Sequence, residues 1–222
     1  MVEYGMTGSV TISASFGAGG NVVGPAVAER LGIPFLDRAI PVEVARRLSL
    51  PLQSVVAQDE KAPSAWSRLA RAFAFAATPL GPQPLSEGVD DPDRFREETE
   101  QILRRVADST GGVILGRAGM MVLRGRPAVL CVRLDGPVED RIAQVVGDGM
   151  AEDEARAMQK DVDGARETYA RVFYRTRQAD PSLYHVVLDS TVLSFDLCTD
   201  IIVTAARHRL SLDHPDPRVG TA

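Results

Sequence analysis

Gly17, Gly19 and Gly20 follow a β-branched apolar run that starts at Ser9, and they stand directly before a helical pattern beginning at Val22. Glycine takes positive φ without steric cost, so main-chain N–H groups can close around an anion while the helix adds its positive N-terminal end. Gly17, Ala18, Gly19, Gly20 and Asn21 are therefore the expected phosphate cradle. The lysine and hydroxyl residue that close a full Walker loop are absent, because Gly20 and Asn21 stand in their places.

Phosphoryl transfer asks little covalent help of a protein but needs fixed positive charge around the phosphates. Arginines stand where such charge is useful: Arg117 after the third apolar strand, Arg141 on the helix after the fourth, and Arg166 with Asp163 on a charged helical segment. Arg117 follows a glycine at a strand end, where parallel sheets open their ligand crevice. Asp163 and Arg166 are three residues apart, and their ordinary reading is an intrahelical ion pair. Asp37 lies about 20 residues beyond the loop, where a dinucleotide fold places its ribose-binding acid. A dinucleotide-binding oxidoreductase thus stands beside a phosphotransferase as a reading of the residues.

The elements that must position these groups follow from periodicity. Ser9 to Ser15 reads as a buried strand, Val22 to Leu31 as a helix stopped by Gly32 and Pro34, and Ile33 to Asp37 as a short second strand. Residues 41–77 are helical in pattern, and the proline- and glycine-rich stretch 78–92 is a loop. A helix from about Asp93 to Asp108, strands at Val113–Leu115 and Pro127–Leu134, and a helix opening at Gly136-Pro137 come next. A long helical region from about Ala151 to Gln178, a last strand at Tyr184–Asp189 and a helix from about Phe195 to Leu210 complete the pattern. This is the alternation of an α/β protein with a parallel sheet.

At 222 residues and 45% apolar content the chain fits one domain, over residues 1–210, with 211–222 as a flexible tail. A net charge of −5 argues against nucleic acid or an anionic membrane as partners. No run reaches the ~18 apolar residues of a membrane span. Cys131 and Cys198 read as buried thiols, and the expected location is cytoplasmic. His185, His208 and His214 lack metal-ligand spacing, and Trp66, Phe73 and Phe75 read as packing residues. Asp59-Glu60-Lys61 reads as an exposed charged helix end.

One ordered series of motifs resembles the cytidylate kinase-like family, within the P-loop nucleoside monophosphate kinases. It comprises Val10-Thr-Ile-Ser, Phe16-Gly-Ala-Gly-Gly, Leu31 to Arg38, Leu115-Gly-Arg-Ala118, Glu139-Asp-Arg-Ile142, Asp163-Gly-Ala-Arg166 with Tyr169, and Asp180 to Thr191. The resemblance implies a three-layer P-loop fold with a central parallel sheet, a helical acceptor-site insertion at about 41–110 and a helical lid at about 151–180. It implies ATP and Mg2+ as cofactors, with a nucleoside monophosphate or similar small molecule as phosphate acceptor. By the same resemblance residues 17–21 hold the donor phosphates, and Asp37 and Arg38, with Arg117, open the acceptor site. Arg117, Arg141 and Arg166 stabilise charge, and Asp163 joins Arg166 in the lid. The chain departs from the family pattern at Gly20, Asn21, Leu115 and Ala118, which makes a nucleotide-binding regulatory module with impaired catalysis the alternative.

Overall fold

The computed structural model describes residues 8–36, 92–116 and 118–210, with residues 92–95 through their backbone alone. Expectations for Asp37, Arg38, residues 41–91, Arg117 and the tail lie outside these residues. β1 (Ser9–Ala14) runs into α1 (Gly20–Leu31), and β2 (Phe35–Leu36) follows. After α2 (Pro92–Asp108) come β3 (Gly112–Leu115), α3 (Gly119–Leu123), β4 (Val129–Asp135) and α4 (Val138–Gly147). α5 (Glu152–Tyr174), a 3-10 turn (Pro181–Leu183), β5 (Val186–Asp189) and α6 (Phe195–Leu210) complete the order.

The five strands form one parallel sheet in the order β2-β3-β1-β4-β5. β1 is central and buried along its whole length, which is why it reads as an unbroken apolar and small-residue run. Alternate residues serve opposite faces. Val10, Ile12, Val132 and Leu134 pack with Val23 and Val27 of α1 and Ile202, Val203 and Ala206 of α6. Ile114, Val129 and Cys131 pack on the other side with Met120 and Leu123 of α3 and Ile102 and Leu103 of α2. Helices on both faces of the sheet make the three layers expected of the sequence. Cys131 and Cys198 are free and buried, as expected.

Most elements fall within two residues of their expected bounds, and the departures have local causes. α1 begins at Gly20, inside the glycine run, because left-handed Gly19 (φ 71°) serves as its N-cap without a side chain. α5 stops at Tyr174 because Arg175 turns left-handed (φ 51°). α3 and the 3-10 turn were not expected: α3 has five residues and no side-chain cap. Among the described residues no helix is long and apolar enough to cross a membrane.

Candidate phosphate-binding site

The chain leaves β1 through a tight turn in which Ser15 N–H donates to Leu134 O (3.1 Å) and Ala18 N–H donates back to Ser15 O (3.1 Å). Gly17 and Gly19 take left-handed φ of 79° and 71°. A Cβ at Gly17 would strike the Arg141 carbonyl, and one at Gly19 would strike the Phe195 ring. Conformation and close approach thus require glycine at both positions.

Side chains from α4, from α5 and from the start of the β5–α6 connection draw the carbonyls of this stretch away from its mouth. Arg166 donates to Ala14 O (2.5 Å), Arg141 to Phe16 O (2.5 Å), Gln144 to Gly17 O (2.9 Å) and Ser190 to Ala18 O (3.0 Å). The Phe16 N–H is taken by Asp163 Oδ1 at 2.8 Å. What is left is a row of donors: the main-chain N–H groups of Gly17, Gly19, Gly20 and Asn21 find no acceptor among the described residues. Unpaired amides at a helix N-terminus, with the carbonyls turned outward, form an anion receptor.

A chain of alternating charge supports the loop from behind. Arg133 meets Asp135 at 2.7 Å, Asp135 lies 3.7 Å from Arg141 Nε, and Arg141 meets Asp163 at 3.0 Å. Burial pushes the Asp135 carboxyl up, but the Ser15 hydroxyl and the Arg133 guanidinium outweigh it and hold the group below its ordinary range. The Asp163–Arg166 pair is long, 3.9 Å, while both residues make shorter contacts to the loop. An intrahelical ion pair is therefore a minor part of what they do. Arg141, only 4% exposed, and Arg166 direct guanidinium N–H groups at loop carbonyls.

The missing lysine has a packing counterpart. In the Walker pattern the first glycine falls six residues before the lysine, which here is Ala14 paired with Gly20. A Cβ at Gly20 would lie 2.6 Å from the Ala14 Cβ and 3.0 Å from Leu115 Cδ1. Small and larger residues have exchanged places across one contact, and Leu115, a further departure from the family pattern, seals it. Sequence reading missed Ala14, Arg133, Asp135, Gln144 and Ser190. A charged residue inside the apolar strand Val129–Asp135 was the available signal for Arg133.

The cradle fits a polyphosphate by its amides. Among the described residues, the carboxylates beside it, Asp135 and Asp163, are both bound to arginines. Among the described residues no group of three or more metal-binding side chains occurs. β2 ends at Leu36 two strands away from β1, with β3 between them. A dinucleotide fold needs its ribose acid on the strand beside the glycine loop, so this order removes the oxidoreductase reading.

A family model described as the cytidylate kinase-like family matches residues 9–192. An uncharacterized protein from Eubacterium ventriosum has a similar fold, with 20% identity, a TM-score of 0.60, and coverage of 90% of this chain and 98% of that one. Shikimate kinase from Acinetobacter baumannii, solved with shikimate, aligns at 16% identity and a TM-score of 0.47 over 93% of this chain and 97% of its own. A uronate isomerase of Corynebacterium glutamicum is 28% identical over 109 residues, or 49% of this chain. The matched stretch spans 21% of that relative's length.

Proposed function

Because the chain belongs to the cytidylate kinase-like family of P-loop kinase-like nucleotide-binding proteins, we propose that it holds the phosphates of ATP at Gly17, Ala18, Gly19, Gly20 and Asn21 and passes the γ-phosphoryl group to a nucleoside monophosphate or similar small acceptor. The observation that carries this reading is the division of labour in the loop: four carbonyls are drawn off by side chains, and four amides share one mouth.

In this reading the amides bind the donor, Arg141, Asp163 and Arg166 hold the loop in register, and the positive charge of the two arginines favours the phosphates. Arg117 follows β3, the strand beside β1, and would reach the transferring group; Asp37 and Arg38 follow β2 and would meet the acceptor. Mg2+ would come with the nucleotide, held by its phosphates and water, and would neutralise charge on the β- and γ-oxygens. A coupled kinase assay over CMP, dCMP, UMP and other monophosphates tests the proposal. Turnover lost in Arg117→Ala is the expected result, and no turnover above that variant rejects the enzyme.

The Ala14–Gly20 exchange favours a second reading, a nucleotide-binding module with little catalysis. A lost transition-state donor commonly costs about 3 kcal/mol. Calorimetry that finds ATP bound, with no acceptor turned over, selects that reading.

A further inference from the structure

Arg133 is a buried charge that phosphate binding does not itself require. It sits on β4 opposite Ser13 of β1, is 7% exposed, and interrupts a strand whose residues are otherwise apolar up to Asp135. Arginine is almost never buried without compensating partners. Its Nε and Nη2 both donate to Asp135 Oδ2 (2.9 and 2.7 Å), Nη2 also donates to Ser15 Oγ (3.0 Å), and Nη1 donates to Gln178 O (3.2 Å). The Tyr184 ring lies 5.8 Å from the guanidinium carbon.

Two of these contacts lead to the loop. Ser15 is the residue on which the turn closes, through Leu134 O and Ala18 N–H. Asp135 is shared with Arg141, the clamp on Phe16 O. Arg141 Nε is 3.7 Å from Asp135, beyond a good hydrogen bond, because Arg133 holds the carboxylate and Gly136 O takes the Nε proton at 2.9 Å. Without Arg133, Arg141 would be the remaining arginine beside the Asp135 charge, which would draw it away from Phe16 O. The freed carbonyl could then turn into the mouth that an anion must occupy.

We propose that Arg133 is a positioning residue for the phosphate cradle: it fixes Ser15 directly and Arg141 through Asp135, and so keeps the amides of Gly17, Gly19, Gly20 and Asn21 aimed at one point. The proposal rests on reading residues 17–21 as that cradle, and its test is independent of whether a nucleotide binds.

Amide hydrogen exchange is measured on wild type, Arg133→Met, Arg133→Lys and Ser15→Ala without nucleotide, comparing the hydrogen-bonded turn amides of Ser15, Phe16 and Ala18 with the interior amides of β1 and β4. In Arg133→Met the loop amides are expected to exchange about tenfold faster while the strand amides stay within about twofold of wild type. Arg133→Lys, which keeps the charge but loses the fork, should recover part of that protection. Should Arg133→Met not fold, Ser15→Ala carries the test, with an expected increase of about threefold confined to the loop. Loop exchange equal to wild type, or loop and strand exchange rising by the same factor, overturns the proposal. ATP and inorganic tripolyphosphate are titrated in parallel: a wild type that binds neither rejects the function proposed above, whatever the loop amides do.

Discussion

Two turns leave the carboxyl ends of neighbouring strands and enter helices, yet they are built differently. The turn after β1 is gripped by Arg141, Gln144, Asp163, Arg166 and Ser190, which lie far off in sequence. The turn after β3 has, among the described residues, main-chain bonds only: Gly116 N–H to Ile12 O (2.8 Å), Gly119 N–H to Gly116 O (3.1 Å) and Met121 N–H to Ala118 O (2.8 Å). It also carries a left-handed alanine, Ala118 at φ 52°. The first turn is pre-organised by tertiary contacts, whereas the second stores local strain beside Arg117. Under the proposed function, a cradle held by tertiary contacts beside a turn held by main-chain bonds suits a site where one ligand is held and another must be reached.

The same substitution should therefore cost different amounts at the two turns. Gly17→Ala combines a left-handed φ of 79° with collision against the Arg141 backbone, and about 3 kcal/mol or more of stability should be lost. Gly116→Ala has a comparable φ of 70° but no described atom within 4 Å of the new methyl, so only about 1–2 kcal/mol is expected. Urea midpoints with unchanged slopes read both values, and equal losses would break the comparison.

The Ala14–Gly20 contact gives the next largest effect. Gly20→Ala alone places a methyl 2.6 Å from the Ala14 Cβ, and overpacking of that kind costs about 1–3 kcal/mol. Adding Ala14→Gly should restore more than half of it, a coupling of about 1–2 kcal/mol in a double-mutant cycle. Additive losses would mean that the lysine position is closed by something other than this exchange.

Why some of this was legible in the sequence and some not is a matter of range. β1, the glycine run and α1 are contiguous, and their apolar period and glycine content declare them together. The spacing of Asp163 and Arg166 signalled a local ion pair, but tertiary contacts to Phe16 and Ala14, 147 and 152 residues away, took precedence. Gln144 and Ser190 look ordinary in sequence and gain meaning only when β4 pairs with both β1 and β5, so that α4 and the residue after β5 reach the β1 turn. Ala14 read as one more small strand residue, because its consequence lies in the space it takes from position 20. α3 escaped notice because five residues hold too little period to register.

Acidification should separate the two turns by a smaller amount. The folded Asp135 carboxyl sits below its ordinary value of 3.8, so its contribution is fully present above that value and is lost as pH falls through the lower, folded one. Of the two turns, only the β1 turn is linked to Asp135 among the described residues. Below about pH 4 the bonded amides of Ser15, Phe16 and Ala18 should lose protection before those around Gly116 do. Asp135→Asn should remove most of that pH dependence, measured by exchange across an acid series. A matching acid response at both turns would detach Asp135 from the cradle.

The smallest expected effect comes from relaxing the second turn. Ala118→Gly relieves a left-handed alanine, a conformation costing about 1–2 kcal/mol, while the added freedom of the unfolded chain returns about 0.5–1 kcal/mol. Net stability should rise by no more than about 1.5 kcal/mol. If strain at this turn helps aim Arg117, the relaxed variant should turn over acceptor about two- to fivefold more slowly, with ATP affinity unchanged because none of the contacts that hold the cradle comes from Ala118. Stopped-flow kinetics with an independent ATP titration separates the two quantities. A fall in ATP affinity matching the fall in turnover would join the turns into a single unit, and the division between a rigid donor cradle and a compliant neighbour would no longer hold.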